Sequence, residues 1–382
     1  MKKLLSVLLI LTMVFCMAAC GDSGTESETI KLGWMGSLTG DQAAFGICES
    51  QTLQMLVDQK NESGGILGKQ IELIKYDTKG DAQEAVNVAK RLCAQDKVSA
   101  IMGPNASGQA IAIQSVLDQY HVSDMATVAT NEKVTVQDGA LKEYNFRVCF
   151  IDPEQGRIAG SFIVEYLKLK KAAVLYDVND DYGQGLTDYF VKTFTEKGGK
   201  IVAKEGYTAG DTDFTAQLTK IKEANPDIIF TPISYQDFIN IHKQARTLGI
   251  DLPFLGGDAC ASEVLFDAAD AVDGSYVINH VSLSDPSGED FRKQYAERYD
   301  GMKMELNSYM VNDAFLTWCA AVEHANSADP EAVAAAYPEV EVEGITGTIK
   351  ISKDDHNPIG KSGCVEQING KTKGYDFITK IS

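Results

Sequence analysis

The chain has 382 residues and a formal net charge of −19, from 54 acidic and 35 basic side chains. A nucleic-acid-binding surface needs a basic face that neutralises phosphates, so this acidity predicts that nucleic acid is not a partner. Hydrophobic residues make up 44% of the chain, as in ordinary globular proteins. Roughly 350 residues follow the N-terminal segment, which is too many for one core and predicts two domains.

The N-terminal segment has the composition of an export signal followed by a tether. Two lysines precede an apolar run at 4–15, which is shorter than the ~20 residues that span a bilayer. Small residues then precede Cys20, as in a bacterial lipobox. We therefore expect a signal peptide at 1–19, a lipidated Cys20 that anchors the protein outside the bacterial cell membrane, and a flexible tether at 20–29. The alternative is an ordinary secretory signal in which Cys20 is incidental.

Apolar, β-rich runs alternate with amphipathic helical patterns from residue 30 onward. In the first half, strands are predicted at 30–35, 70–76, 100–102 and 125–128, and helices at 45–61, 81–95 and 109–120. This alternation is typical of βαβ units, in which helices cover both faces of a parallel sheet.

The alternation then restarts, which predicts a second unit of the same kind. Its strands are predicted at 172–176, 200–206, 228–230, 254–255 and 276–281, and its helices at 155–169, 182–197, 214–224 and 235–248. Two long helical patterns follow at 290–299 and 309–324, and strand-like runs return at 346–351 and near residues 365 and 377. The sequence therefore predicts an α/β fold with two doubly wound parallel-sheet domains.

No sequence pattern points to an enzyme, a metal site or a cofactor. The chain has no GxSxG, HExxH or Walker motif, no GxGxxG follows the first strand, and the five histidines are scattered. Asp177, Asn179 and Asp181 begin like a calcium loop, but Tyr182 and Asp188 stand where its glycine and last glutamate belong. The six cysteines of the body show no zinc-ligand spacing, and no disulfide is predicted. We therefore expect a protein without catalytic residues, metal or cofactor.

Polar side chains follow three predicted strands, at the sheet edge where doubly wound domains form a cleft. Ser107 comes at a helix start after the strand at 100–102. It is either an N-cap or, with the free amides and the helix dipole, part of an anion site. Thr130 follows the next strand, and Asp258 follows a strand of the second half. A carboxylate that faces an anion-binding corner across a cleft is what a zwitterion requires.

Seven short segments together resemble the branched-chain amino-acid-binding family of type I periplasmic binding proteins. They lie at 38–40, 64–66, 103–108, 126–131, 181–185, 244–246 and 255–258, and the resemblance extends from about residue 29 to the C-terminus. It implies two lobes joined by a three-crossover hinge. The N-terminal lobe would comprise 30–151 and 282–361, and the C-terminal lobe 152–281 and 362–382.

The resemblance also implies which residues bind the backbone of an amino acid. Family members hold the ligand carboxylate with a serine at the helix start and with the end of the next strand, which correspond to Ser107, Val128 and Thr130. An acidic residue of the second domain meets the ammonium group and corresponds to Asp258, where leucine-binding members have Glu. Tyr182, in the Tyr-Gly-x-Gly loop, would close over the ligand backbone.

The predicted side-chain pocket departs from the family pattern. Phe45 stands in the first-domain wall, where Tyr or Trp is common. Ser234 occupies the position of an expected second-domain tyrosine, and Tyr235 lies one residue away. These departures leave the preferred ligand open.

The resemblance implies a monomeric receptor that closes around an amino acid, branched-chain or related, and then docks on ABC permease subunits in the membrane. Closure would follow from differential affinity for the closed form. Two alternatives stay open. The same fold accommodates non-zwitterionic solutes, such as amides, urea-like molecules and aromatic acids, and it also serves chemosensory or regulatory receptors.

Overall fold

The computed structural model describes residues 29–381, so the predicted signal peptide and Cys20 lie outside the described residues. The first sheet contains five strands, and two further short strands form a separate hairpin. The five are β1 (Ile30–Gly36), β2 (Ile71–Asp77), β3 (Ala100–Met102), β4 (Asp124–Ala126) and β7 (Asn145–Arg147), and the hairpin is β5 (Val136–Gln137) and β6 (Ala140–Leu141). All five sheet strands are parallel, in the spatial order β2-β1-β3-β4-β7.

Helices connect the first four strands of this sheet. They are α1 (Ala43–Glu62), α2 (Ala82–Lys90) and α3 (Ser107–Tyr120). α2 continues into a π-helical turn at Arg91–Asp96, so the single helix predicted at 81–95 has two parts. Asp81 caps α2 by accepting a hydrogen bond from the Glu84 amide, which satisfies one of the free donors of the first turn.

The second sheet contains seven strands and carries the middle and the end of the chain. Its strands are β8 (Lys171–Asp177), β9 (Lys200–Tyr207), β10 (Ile228–Thr231), β11 (Phe254–Gly256), β12 (Tyr276–Asn279), β15 (Gly363–Asn369) and β16 (Gly374–Ile381). The spatial order is β16-β15-β12-β11-β10-β8-β9, with β8 to β12 parallel and the last two strands antiparallel. The helices of this unit are α4 (Asp152–Ser161), α5 (Asp181–Glu196), α6 (Thr215–Ala224), α7 (Tyr235–Thr247) and α8 (Ala269–Val272).

Between β12 and β15 the chain returns to the first sheet. This segment contains α9 (Glu289–Arg298), α10 (Asn307–Ala325), α11 (Pro330–Ala336) and the hairpin of β13 (Glu341–Gly344) and β14 (Gly347–Lys350). α10 packs against α1, and its fully buried Trp318 shares a core with Trp34 of β1. The chain therefore passes between the two sheets three times: after β7, after β12 and before β15. The predicted α/β fold with two parallel-sheet units is confirmed.

Each sheet is covered on both faces by apolar side chains. In β1, Leu32 and Trp34 point into one core, and Met35 points into the other. In β10, Ile229 and Phe230 divide between two cores in the same way. This follows from the two-residue period of a strand, and it explains why these strands read as continuous apolar runs.

Two strand ends and one whole strand differ from prediction in ways that affect the site. β4 ends at Ala126 and β12 at Asn279, so Val128 and Val281 lie in the loops beyond the strands. β7 was not predicted, because its buried Asn145 and Arg147 break the apolar pattern. Arg147 donates to the Ala129 carbonyl at 2.8 Å and to Oγ1 of Thr135 at 3.0 Å. These partners replace the water that a buried guanidinium loses.

The cysteines of residues 29–381 are buried free thiols, at positions 48, 93, 149, 260, 319 and 364. Over the same residues, no helix combines the length and the apolarity needed to cross a bilayer.

Candidate functional site

A cleft of about 470 Å³ lies between the two sheets, at the carboxyl ends of their parallel strands. Loops after β1, β3, β4, β8, β10, β11 and β12 all contribute side chains to it. This is the edge at which doubly wound folds bind ligands, because the loops of neighbouring strands converge there. Of the predicted site residues, Phe45, Ser107, Val128, Tyr182, Ser234 and Asp258 line the cleft.

A larger depression, of about 700 Å³, lies at the opposite edge of the first sheet. Lys31, Lys97 and Ser99 line it near the starts of β1 and β3. Parallel strands begin at that edge, and it receives no contribution from the second sheet. We therefore take the interlobe cleft as the candidate site.

On the first-sheet side, the start of α3 faces the cleft. Ser107 is the first helical residue, and the N-cap is Ala106, whose side chain makes no capping bond. The interpretation of Ser107 as an N-cap is therefore wrong. Its hydroxyl instead accepts a hydrogen bond from the Asn131 amide at 3.2 Å, which ties α3 to the loop after β4. The hydroxyl and the first amides of α3 form an electropositive corner.

The loop after β4 supplies the second part of this corner. Val128 lines the cleft, whereas Thr130 is fully buried outside the lining residues. The Thr130 carbonyl accepts the Asp152 amide at 2.9 Å and so joins this loop to the start of α4. Val128 is thus accessible to a ligand in the cleft and Thr130 is not. Their positions in the sequence alone did not reveal this difference.

On the second-sheet side, Asp258 follows β11 and is only 9% exposed. Its Oδ1 accepts hydrogen bonds from the Tyr182 hydroxyl at 2.8 Å and from Nε2 of Gln155 at 3.0 Å. Its Oδ2 lies 3.1 Å from Nε2 of His280. The Asp258 amide also donates to Oε1 of Gln155 at 2.8 Å. Charge-assisted bonds of this kind hold a buried carboxylate in one orientation.

Two members of this cluster were missed from the sequence. His280 directly follows β12, at the same sheet edge as Asp258, and this position was the available signal. Gln155 comes from the first turns of α4, and no motif marks it. Burial, followed by the nearby Asp258 charge, raises the pKa of Tyr182 well above its ordinary value. The Tyr182 hydroxyl therefore stays protonated and acts as a donor to the carboxylate.

Phe45 and Tyr235 form an aromatic contact between the lobes. Their ring centroids are 4.9 Å apart in an edge-to-face arrangement, a favoured geometry for aromatic pairs. The Tyr235 hydroxyl also accepts the Ala44 amide at 3.2 Å, across the cleft. Ser234 caps α7 by accepting the Asp237 amide at 3.3 Å. Tyr235 thus supports the wall that Phe45 and Ser234 present to the cleft.

Two further contacts join the lobes beside the cleft. On one side, Nδ2 of Asn131 donates to the Asp181 carbonyl at 2.6 Å. On the other, the buried Glu305 carboxylate accepts the Ser262 hydroxyl at 2.9 Å and the Glu263 amide at 3.2 Å. Burial raises the pKa of Glu305 to about 7. The described lobes are therefore in contact on both flanks of the site.

The loop between β8 and α5 is a polar turn that caps a helix. The Asp177 carboxylate accepts the Asn179 amide at 2.9 Å, and Asp180 is the N-cap of α5. Burial raises the pKa of Asp180 to about 6. Over residues 29–381, no three His, Cys, Asp or Glu side chains converge as metal ligands would.

Comparison with known proteins relates most of the described chain to one family. A family model described as "Periplasmic binding protein" matches residues 29–372. A leucine-, isoleucine-, valine-, threonine- and alanine-binding protein of Pseudomonas aeruginosa is 30% identical over 328 residues, which are 85% of this chain and 86% of that protein. An amino acid binding protein of the same organism is 33% identical over 240 residues, and the chain spans 63% of its length.

The solved structures include a similar protein with a bound ligand. It is the branched-chain amino acid transporter substrate binding protein LivJ from Streptococcus pneumoniae, in complex with isoleucine. The TM-score is 0.84 at 30% identity, over 93% of this chain and 100% of that one.

A buried carboxyl group lies next to the cleft lining. Glu49 of α1 is fully buried, and its Oε1 accepts Nδ2 of Asn307 at 2.8 Å and the Thr127 hydroxyl at 3.2 Å. Asn307 itself lines the cleft. Burial outweighs these hydrogen bonds and raises the pKa of Glu49 to about 7.

This pKa predicts that stability falls as the pH rises. The folded-state pKa of Glu49 is about 7 and the ordinary value is 4.5, so the native state binds the proton more tightly than the unfolded state does. The contribution is fully present below pH 4.5 and is lost as the pH passes through 7. Its size is about 3 kcal/mol.

We expect Glu49→Gln to remove this part of the pH dependence in unfolding midpoints measured between pH 5 and 8. Glu305, with a similar pKa, retains its own contribution. Glu223→Gln, at an exposed position, is the matched control and should follow the wild-type curve. A Glu49→Gln curve parallel to that of the wild type would contradict the prediction.

Proposed function

The chain belongs to the branched-chain amino-acid-binding family of type I periplasmic binding proteins, and we propose that it is the amino-acid receptor of an ABC importer. The observation that carries the proposal is the pair of opposed groups in the cleft. The Asp258 carboxylate lines it from the second sheet, and the start of α3 with Ser107 lines it from the first. These groups complement the ammonium and the carboxylate of a zwitterion.

In this proposal the ligand carboxylate binds the Ser107 hydroxyl, the first amides of α3 and the amide of Val128 in the loop after β4. Among residues 29–381, no backbone carbonyl accepts the Val128 amide, which leaves a donor beside Ser107. The ligand ammonium binds Asp258, and Tyr182 covers the ligand backbone. Phe45 and Ser234, with Tyr235 supporting them, border the side chain.

The proposed mechanism is hinged closure without covalent chemistry. The lobes, 30–151 with 282–361 and 152–281 with 362–382, rotate about the three crossovers. A ligand that touches both lobes stabilises the closed form by its differential affinity. The permease subunits then recognise the closed surface. Solute-binding proteins of this family work outside the cytoplasm and must be exported. The export signal predicted at the N-terminus is consistent with that location.

A thermal-shift screen of the purified full chain tests the ligand class. The protein is first unfolded and refolded to remove bound solute, and it is then assayed with single amino acids at millimolar concentration. A ligand at about 1,000 times its Kd stabilises the native state by about 4 kcal/mol, so a micromolar ligand gives a clear shift. If no amino acid shifts the midpoint, the receptor function proposed here is wrong.

Asp258→Asn tests the ammonium site while the side-chain shape is kept. Loss of the charge that faces a buried ammonium is expected to weaken amino-acid binding by about 2–5 kcal/mol, measured by titration calorimetry. Asp188→Asn, in the same lobe with a side chain that is 77% exposed, is the control and should bind as the wild type does. Unchanged affinity in Asp258→Asn would remove this residue from the site.

The proposed anchor is tested by metabolic labelling with a fatty acid. Acylation of Cys20 predicts that the wild type incorporates the label and that Cys20→Ala does not. Cys16→Ala, which changes a cysteine within the signal segment, is the matched control and should retain the label. Label in the Cys20→Ala protein would place the lipid elsewhere.

A further inference from the structure

The cleft lining carries more negative charge than a simple zwitterion needs. Among its described residues are six aspartates and one lysine; the aspartates are Asp41, Asp177, Asp180, Asp181, Asp237 and Asp258. The lysine, Lys79, lies 3.9 Å from Oε1 of Glu84. One carboxylate is enough for the ammonium group of an amino acid, and the proposed function assigns that role to Asp258.

Four of the five remaining carboxylates have no salt-bridge partner among residues 29–381. One of these four, Asp180, is the N-cap of α5 and accepts the Tyr182 and Gly183 amides. Asp237 accepts the Tyr207 hydroxyl at 2.7 Å, and Asp177 accepts a backbone amide. Asp41 is exposed at the cleft, just before α1. By contrast, Asp181 lies 3.8 Å from Nζ of Lys133. Hydrogen bonds to neutral donors orient a carboxylate, but they leave its charge uncompensated.

These carboxylates come from both lobes and repel one another across the cleft. Burial raises the pKa of Asp237, and the charges of Asp41 and Asp177 raise it further. Asp41 belongs to the first lobe, and the other two belong to the second. Closing the lobes therefore brings like charges together, and a cation between them would remove this cost.

Two buried polar side chains of the same lining independently indicate a ligand. Gln109 of α3 is 2% exposed, and neither of its amide atoms has a partner among the described residues. His280 is 8% exposed; because its Nε2 faces the Asp258 carboxylate, that nitrogen carries the proton. Its Nδ1 has no hydrogen-bond partner within residues 29–381. Buried polar atoms are normally satisfied, so a bound molecule with polar groups is expected here.

Apolar side chains line the same cleft as the proposed ammonium site and the unpaired carboxylates. Phe45, Ile233 and Leu306 line the cleft together with the ring of Tyr207. They suit the methylene stem of a long side chain whose charged end stays among polar groups. A metal ion fits less well, because no three ligand-type side chains converge in the described chain.

We infer that this site selects an amino acid with a cationic side chain, an aliphatic stem ending in an ammonium or guanidinium group. The stem packs on Phe45, Ile233 and Leu306, and the cation lies among Asp237, Asp177 and Asp41. The inference rests on the proposed amino-acid receptor function. The expected ligands are then diamino acids and their guanidino analogues, and not branched-chain amino acids.

Titration calorimetry with the refolded full chain tests the inference. The probes are lysine, ornithine and arginine, together with leucine, valine and 1,5-diaminopentane. We expect the tightest cationic amino acid to bind at least about tenfold more tightly than leucine, a difference of about 1.4 kcal/mol. Leucine or valine binding as tightly as the cationic amino acids would overturn the inference and leave the receptor function intact. Absence of binding by every amino acid would overturn both.

The diamine separates the two parts of the proposal. It carries the side-chain cation without the carboxylate, and it should bind at least about tenfold more weakly than lysine. If it binds as tightly as lysine, the carboxylate corner at Ser107 plays no part. The amino-acid function then fails, while the cation site stands.

Asp237→Asn and Asp41→Asn test the contribution of each lobe to the cation site. Each is expected to lower the ratio of lysine affinity to leucine affinity by about tenfold. Asp251→Asn removes an exposed carboxylate of the same lobe as Asp237 outside the cleft, and it should leave both affinities unchanged. Asp41 is exposed, so its variant folds even if Asp237→Asn does not. An unchanged ratio in a folded Asp41→Asn protein with normal leucine binding would place the cation elsewhere and overturn the assignment.

Discussion

A carboxylate that loses its water needs other donors, and Asp258 obtains them from three separate segments of the chain. Tyr182 and Gln155 donate to one oxygen, and His280 faces the other. These side chains come from α5, from α4 and from the crossover after β12. Burying the charge without them would cost several kcal/mol. The need for these donors therefore holds two helices and the crossover after β12 around the Asp258 carboxylate.

The same cluster joins the site to two of the connections between the sheets. His280 lies in the crossover after β12, and α4 follows directly on the crossover after β7. The ring of His280 also packs against Phe150 of that first crossover, with centroids 3.8 Å apart. A ligand that approaches Asp258 therefore meets groups fixed to two of the three connections between the lobes. In the proposed mechanism, ligand binding and lobe rotation would share these residues, which is what differential affinity for the closed form requires.

Regular elements could be predicted from sequence wherever burial is apolar. β1, β3 and α1 follow directly from apolar runs and helical periodicity. β7 could not be found, because Arg147 reads as a surface residue until the Ala129 carbonyl and Thr135 are placed around it. A sequence pattern shows how apolar a position is. It does not show which distant group forms hydrogen bonds with a buried polar side chain.

The residues of the candidate site likewise fall into those that could be predicted from sequence and those that could not. Ser107 and Asp258 could be found because strand ends in doubly wound domains converge on one edge. The family resemblance added Tyr182 and Phe45. Gln155 and His280 are single residues without a motif, and only tertiary structure brings them to Asp258. The partner of Ser107, the Asn131 amide, likewise depends on how α3 meets the loop after β4.

In the proposed receptor, different kinds of groups recognise the backbone and the side chain of the ligand. In the proposed receptor the carboxylate corner consists of a helix start and a loop, so it depends on the fold and would suit the carboxylate of any amino acid. The opposite wall consists of individual side chains, and its charge is set by single positions such as Asp237 and Asp41. Electrostatic complementarity at such positions discriminates between ligands more than it adds affinity. In the inferred cation site, an uncharged ligand side chain would leave the aspartates of both lobes facing one another. A chain with such a site would retain the fold of its relatives and bind a different ligand.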